Sequence, residues 1–475
     1  MRVDVPMLLN KPTENPEFNA TDFARNNGEY VGVVPKVQPL FSPRIGFRLF
    51  IDDAHKSLLR GGAGLFTGRV PFVWLSNAYN NTGMETKSVT TTVAGLPLTS
   101  DPYQDIIKPG IVSGTTSGAT INTLNENFKY PQVFRANLGF DQDFGYGWKL
   151  TLDGIFSKTM NNVFFKNLAI RANNLVYGVN ASFPGSAAPY YSTVSSAYAN
   201  IVALSTTDKG YTFSLSAKAE KHFSWGLDLM GSYTFGHSFS VNDGTSSVAY
   251  SNWKYNYSVD TNSPDELSYS FFDRPHHVNA VASYTTPMYG RFRTHVTLTY
   301  QGASGTRFAY TMRESNEDFN GDGQFGNSLM YIPTQEELVQ MSWSDPESAA
   351  KFENFIRGDE YLIGHRGEWS RRYAGIAPFE NHFDLQFTQD FYYDKHHGRK
   401  LQLMANLINA GNLLNRAWGL YYSSAYNRTI LQLDALTKDD AGNMTPTYSF
   451  YDDNRIGLSD FYSRWRCQLG VKLVF

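Results

Sequence analysis

The sequence contains one cysteine, Cys467, among 475 residues. A lone thiol closes no internal disulfide and supplies no cysteine zinc cluster, so a disulfide scaffold and a thiolate metal site are both excluded. Cys467 reads as a small apolar strand residue. No apolar run approaches the roughly 18 residues that a membrane helix needs. The opening Met1-Arg2-Val3-Asp4-Val5-Pro6 has none of the apolar character of a secretory signal. Charge of one sign is lacking too: 41 Lys and Arg against 44 Asp and Glu leave a net charge of −3. No broad basic field exists to attract nucleic acid, which is therefore not expected as a partner. Neither G-x-S-x-G, H-E-x-x-H, a phosphate-binding loop nor a dinucleotide fingerprint occurs in a suitable context. No catalytic residue is assigned, and the chain is expected to be neither an enzyme nor dependent on a cofactor.

Aromatic residues are abundant: 34 Phe, 30 Tyr and 8 Trp make 15% of the chain, beside 39 Gly, yet the mean hydropathy is −0.37. A helical membrane protein would be far more apolar. A transmembrane β-barrel alternates lipid-facing with lumen-facing residues, so its average looks soluble while its aromatics gather at the two interfaces.

The final segment shows the alternation most clearly. Trp465, Cys467, Leu469, Val471, Leu473 and Phe475 alternate with Arg466, Gln468, Gly470, Lys472 and Val474, which is strand periodicity with one apolar face. That face is expected to touch lipid. Ending on Phe, the strand resembles the C-terminal insertion signal of outer-membrane barrels, which implies contact with the barrel-assembly machinery. The same period recurs in pairs joined by short links at 52–56, 143–147, 221–226, 286–290 and 392–398, the pattern of antiparallel hairpins. Between the pairs run long polar links at 67–132, 158–210, 237–276, 302–381 and 410–463. Short links alternating with long ones are the signature of outer-membrane barrels, whose periplasmic turns are short and extracellular loops long. Such links inside a compact soluble domain would count against the strands. The fold class expected is all-β, an antiparallel transmembrane barrel wall of about a dozen strands if residues 2–5 end one of them. Large plugged transporters have about 22, so the chain reads as about half a barrel.

Several further stretches stand in order along the chain: Arg2-Val3-Asp4-Val5-Pro6, Phe41-Ser42-Pro43-Arg44-Ile45-Gly46-Phe47, and Leu59-Arg60-Gly61-Gly62-Ala63-Gly64-Leu65-Phe66 with Pro71 and Asn77. They continue in Gly358-Asp359-Glu360-Tyr361-Leu362 with Arg366-Gly367, in Asn406-Leu407-Ile408-Asn409-Ala410-Gly411-Asn412-Leu413-Leu414-Asn415 and in the closing strand. In these stretches the chain is similar to the Bacteroidetes-type TonB-dependent receptors of the Oar-like group, which carry an N-terminal carboxypeptidase-regulatory-like domain. The resemblance implies that residues 1–475 are the C-terminal part of a receptor barrel in the cell outer membrane, lacking the signal peptide, β-sandwich domain, TonB box and plug. It further implies energy from TonB-ExbB-ExbD through that absent region, and uptake of a nutrient ligand whose identity is not legible. The competing reading is a non-transporting outer-membrane barrel, an adhesin or a subunit of a surface complex. A secreted β-rich binding protein or hydrolase would need a convergent polar site, and none is found.

Asp318, Asn320, Asp322 and Gly323 form D-x-N-x-D-G, a spacing that lets alternate side chains converge on calcium while Gly permits the tight turn. The carbonyl of Gln324 adds a ligand. Position twelve is Leu329 where an EF-hand has its bidentate Glu, so the expectation is a structural calcium outside an EF-hand, against a hydrogen-bonded polar turn. His276-His277 and His396-His397 are adjacent pairs whose side chains diverge, unsuited to one metal. Arg371-Arg372 and residues 345–353 read as solvated charges. Tyr190, Tyr191, Trp253, Tyr255, Tyr257, Tyr421 and Tyr422 lie in outward links, as ligand contacts or as packing residues.

Overall fold

The computed structural model describes residues 1–69, 71–84, 89–90, 115–116, 119–194, 197–454 and 456–475. Eleven strands run in chain order as one antiparallel ladder. They are β1 (Arg44–Phe50), β2 (Ser57–Thr67), β3 (Gln132–Gly145), β4 (Trp148–Asn167), β5 (Tyr211–His222) and β6 (Leu227–Ser240). The ladder continues through β7 (His276–Thr285), β8 (Phe292–Ala303), β9 (Glu380–Asp394), β10 (Arg399–Ile408) and β11 (Arg466–Val474). The hairpins inferred from alternation are those formed.

Register carries the alternation across the wall. Along one row the partners are Cys467, Leu407, Leu385, Leu298, Ala282 and Leu229. The neighbouring row, one residue away on every strand, reads Gln468, Asn406, Gln386, Thr297, Ser283 and Asp228. A slip of one residue would exchange the two faces, so the period-two pattern itself specifies the pairing. Leu469, Val471 and Phe475 are 78%, 71% and 88% exposed on the apolar face. Aromatics cluster at two levels of it. Trp148, Tyr284, Phe292 and Phe391 lie toward the short turns, and Phe213, Phe235, Tyr300 and Phe383 toward the long links. Ala280, Ala282, Gly231 and Leu385 lie between them.

Every short connection closes at one end. Two of these turns depend on glycine: Gly147 and Gly226 have φ of +81° and +98°, and a β-carbon on either would collide with the carbonyl of His222 or Thr285 on the next strand. The carbonyls of the same glycines accept the backbone N–H of His222 and Thr285 at 2.9 Å, so the turns are stitched into the ladder.

The long links, expected as polar loops, instead fold at the other end into a cap with apolar cores of its own. β4 continues to Asn167, beyond the end of the legible alternation, and pairs there with Tyr198–Thr207, which pairs parallel with Ala119–Leu124. A second sheet joins Ile170–Tyr177, Ala187–Thr193, Arg307–Glu314, Asn427–Lys438 and Met444–Asp453 from three links. Its core includes Val176, Tyr310, Met312, Ile332, Phe352, Ile430 and Tyr448. The helix Ser348–Arg357 buries Phe352 and Ile356, four residues apart on one face. The helix Gln335–Gln340 starts on a reciprocal capping box: Thr334 Oγ1 accepts the Glu337 N–H at 3.2 Å and the Glu337 carboxylate accepts the Thr334 N–H at 2.8 Å. Much of the link 67–132 lies outside the described residues.

Candidate functional site

On the polar face, Arg60 of β2 donates from Nε to Asp141 at 2.9 Å and from Nη2 to Asp153 at 3.0 Å, bridging β3 and β4. Gly139 makes this approach feasible, since a β-carbon there would stand 2.6 Å from the Asp153 carboxylate and 2.7 Å from the guanidinium. Further round the wall, Asp390 of β9 is fully buried, with the Lys400 ammonium at 2.5 Å, Gln402 Nε2 at 2.7 Å and His295 Nε2 at 3.3 Å. Arg293 and Lys472 stand in the same row. The Arg293 Nε–H has no acceptor among the described residues. Paired charges of both signs on one face, and almost none on the other, are what a wall between water and lipid requires.

The cap is fastened to the wall by buried arginines. Arg307, just past β8, donates from Nε to Asp273 at 2.6 Å and from Nη1 to the Tyr373 carbonyl at 2.9 Å, with Tyr269 stacked 3.9 Å from its Cζ. Asp273, just before β7, also accepts the Ser238 N–H at 2.6 Å. The reading of Arg372 as a solvated charge is overturned. It is 1% exposed and donates to the carbonyls of Ser240 and Val241 and to Asn256 Oδ1. A guanidinium with five donors can be buried where carbonyl oxygens converge, and here the link 237–276 folds its oxygens around an arginine of the link 302–381.

Asp318, Asn320 and Asp322 lie in the cap on the loop between Arg307–Glu314 and the following strand. The Asp318 carboxylate accepts the N–H groups of Gly321 and Gly323, and Asp322 Oδ1 accepts that of Gln324 at 2.8 Å. Asn320 Oδ1 accepts the Asp322 N–H at 3.1 Å. Gly321 and Gly323 have φ of +71° and +82°. Glu314 spans the loop, accepting from Phe319 N–H and Ser328 Oγ on one oxygen and Gly326 N–H on the other. Burial, followed by the charge of Asp318, pushes the Glu314 carboxyl up to about 8. Burial and the charge of Asp322 push Asp318 up to about 6. Among the described residues no three His, Cys, Asp or Glu side chains converge closely enough to hold a metal, so any cation here must also be held by amide and carbonyl oxygens.

Of the outward aromatics, Tyr191 and Trp253 are buried and packed in the cap: the Tyr191 hydroxyl donates to Asp260, and Trp253 Nε1 to Asn262 Oδ1 at 3.1 Å. Tyr255 is exposed. His276 and His277 occupy successive, opposite faces of β7, with His276 Nδ1 2.7 Å from the Tyr233 hydroxyl. His397 pairs with Asp394 at 2.7 Å in a short turn.

Residues 11–418 match the outer membrane beta barrel domain. The chain belongs to this family. It resides in the cell outer membrane, its strands are those of an antiparallel transmembrane barrel, and among the described residues its sheet is open at both edges. No curated protein matches the chain. Similar solved structures include the outer membrane transporter YddB from Escherichia coli, 10% identical over 88% of this chain and 40% of that one, with a TM-score of 0.40. The FrpB iron transporter from Neisseria meningitidis is 8% identical over 92% of this chain and 39% of its own, TM-score 0.36. A mutant of the ferric enterobactin receptor PfeA from Pseudomonas aeruginosa is 10% identical over 78% and 35%, TM-score 0.37. The chain thus spans between 35% and 40% of the length of these structures.

Proposed function

We propose that the chain is the barrel portion of a TonB-dependent transporter of the Oar-like kind, taking up a nutrient ligand through a water-filled lumen. The observation that carries this reading is an eleven-strand wall, apolar on one side and charge-bearing on the other, that does not close. Among the described residues β1 and β11 each pair on one side only, and Arg2–Asp4, expected as the end of a wall strand, instead pairs with Leu40–Ser42 in a separate two-stranded sheet. An unpaired edge in lipid leaves backbone groups unsatisfied at several kcal/mol each, so further strands must complete the sheet. Eight strands already fill a barrel interior with side chains, whereas larger barrels hold a lumen or a plug. A completed barrel of more than eleven strands therefore has room for a gated passage. In this reading the completing strands, the plug and the TonB-contacting segment belong to an N-terminal region, and the last strand carries the signal for the assembly machinery.

Transport is tested by deleting the gene and screening growth on single limiting nutrients, with and without TonB. A nutrient whose use needs both supports the reading. Loss of surface attachment with uptake unchanged favours the adhesin.

The orientation predicts which residues reach the outside. In a Cys467→Ser background, Asp440→Cys at an exposed hairpin tip of the cap is expected to react with a membrane-impermeant maleimide on intact cells. His396→Cys in a short turn is expected to react only after the envelope is opened. The reverse pattern would invert the topology.

A further inference from the structure

The D-x-N-x-D-G loop leaves two things unbalanced. Asp318 and Asp322 bring two carboxylates together in the cap with Glu314 beside Asp318, and among the described residues the donors to them are neutral: backbone N–H groups, Ser328, Asn320 and Asn327. Buried charge without a compensating cation is costly. The second imbalance is Asn327. The residue is 4% exposed and its side chain is aimed into the cluster, with Nδ2 donating to Asp322 Oδ2 at 2.9 Å, while its own Oδ1 has no partner among the described residues.

The geometry points to a calcium site in which the carboxylates of Asp318 and Asp322, the side-chain oxygens of Asn320 and Asn327 and the main-chain carbonyl of Gln324 hold one ion at the join of three links of the cap. The amides indicate where the ion sits. Asn320 and Asn327 both direct Nδ2 at Asp322 Oδ2, at 3.3 and 2.9 Å, as positive ends of dipoles placed where a cation belongs. The two ends of an amide exchange on rotation by half a turn. Rotation of the Asn327 amide brings its Oδ1 to that point, while Asn320 Oδ1, which accepts the Asp322 N–H, has a second lone pair for the ion. An all-oxygen set of mixed charge suits Ca²⁺, which takes 6–8 oxygens in flexible geometry, and does not suit zinc, which binds sulfur and imidazole. Asn327, within the loop, takes the place that Leu329 cannot fill.

Such an ion acts as a clasp. The Asn320 carbonyl accepts the Tyr191 N–H at 2.6 Å, and Ser258 exchanges backbone hydrogen bonds with Asn327 at 3.3 Å and Leu329 at 3.4 Å. Fixing residues 318–327 therefore fixes the links that contain Tyr191 and Ser258. This inference is independent of what the barrel transports.

The probe is terbium(III), excited through Tyr190, whose ring lies against Gly321, and through Trp369, 5.9 Å from Phe319. With full-length protein purified from outer membranes and stripped by chelator, emission is expected to saturate at one ion per chain, to be displaced by Ca²⁺ and to resist Mg²⁺. Asp318→Asn and Asp322→Asn are each expected to lower the emission by at least about tenfold, and Asp345→Asn, half-buried before the helix Ser348–Arg357, to leave it unchanged. Stoichiometric binding lost in these variants, with heat-modifiable migration intact, supports the site. No saturable emission from the wild-type protein, or equal emission from the variants, overturns it. If either Asp variant fails to fold, Asn327→Ala decides: affinity about tenfold weaker supports the assignment, and an unchanged titration refutes it.

Discussion

Leu469→Arg is expected to abolish stable insertion, while Gln468→Arg, one residue earlier, is expected to assemble normally. Leu469 pairs with Ala405 in a row that continues through Phe387, Val296 and Tyr284, all on the apolar face. A guanidinium there must enter hydrocarbon at a cost of roughly 2–4 kcal/mol near the bilayer midplane. The loss falls on the strand that ends at Phe475 and that the assembly machinery is expected to engage. Gln468 pairs with Asn406, which pairs in turn with Gln386, on the polar face, where a cation keeps its water. The check is heat-modifiable migration of each variant in the outer-membrane fraction. Equal assembly of the two variants would show that the apolar face does not meet lipid.

Arg307→Met is expected to destabilise the junction of cap and wall by about 3–5 kcal/mol, because it leaves Asp273 as a buried carboxylate without its cation. Both side chains are 2% exposed, so water cannot take over the lost pairing. Asp273 would keep the Ser238 N–H and the His237 ring, 3.1 Å away, which limits the damage without removing it. Replacing both partners, as Arg307→Met with Asp273→Leu, is expected to recover most of the loss, since an apolar pair leaves no orphan charge. Denaturant unfolding in detergent, followed by tryptophan fluorescence, reads the difference. Protease on intact cells should then cut the cap of the single variant first. A double variant no more stable than the single one would show that Arg307 acts through its carbonyl contacts to Tyr373 and Ala374 instead.

The wall was legible because its information is local. Side chains two apart share a face, so Val278, Ala280, Ala282 and Tyr284 announce a strand wherever the partner lies, and hairpin links place that partner next in the chain. The length contrast of the links set all long segments at one end, and family resemblance with composition placed the chain in the outer membrane. The loop at 318–323 was also visible, since its chemistry lies within six consecutive residues. The order inside the cap was not. Arg307–Glu314 pairs in parallel with Asn427–Lys438, and the Tyr448 hydroxyl donates to the Gly178 carbonyl across 270 residues. Parallel partners so distant leave no hairpin signal, and buried faces interrupted by polar residues blur the period. Arg372 next to Arg371 looks like surface charge, and only the meeting of Ser240, Val241 and Asn256 around it makes it a core residue. Local alternation thus determined the wall, its two faces and its direction. The tertiary structure alone decided that the links form a packed cap, because long-range burial and carbonyl convergence have no short-range trace in the chain.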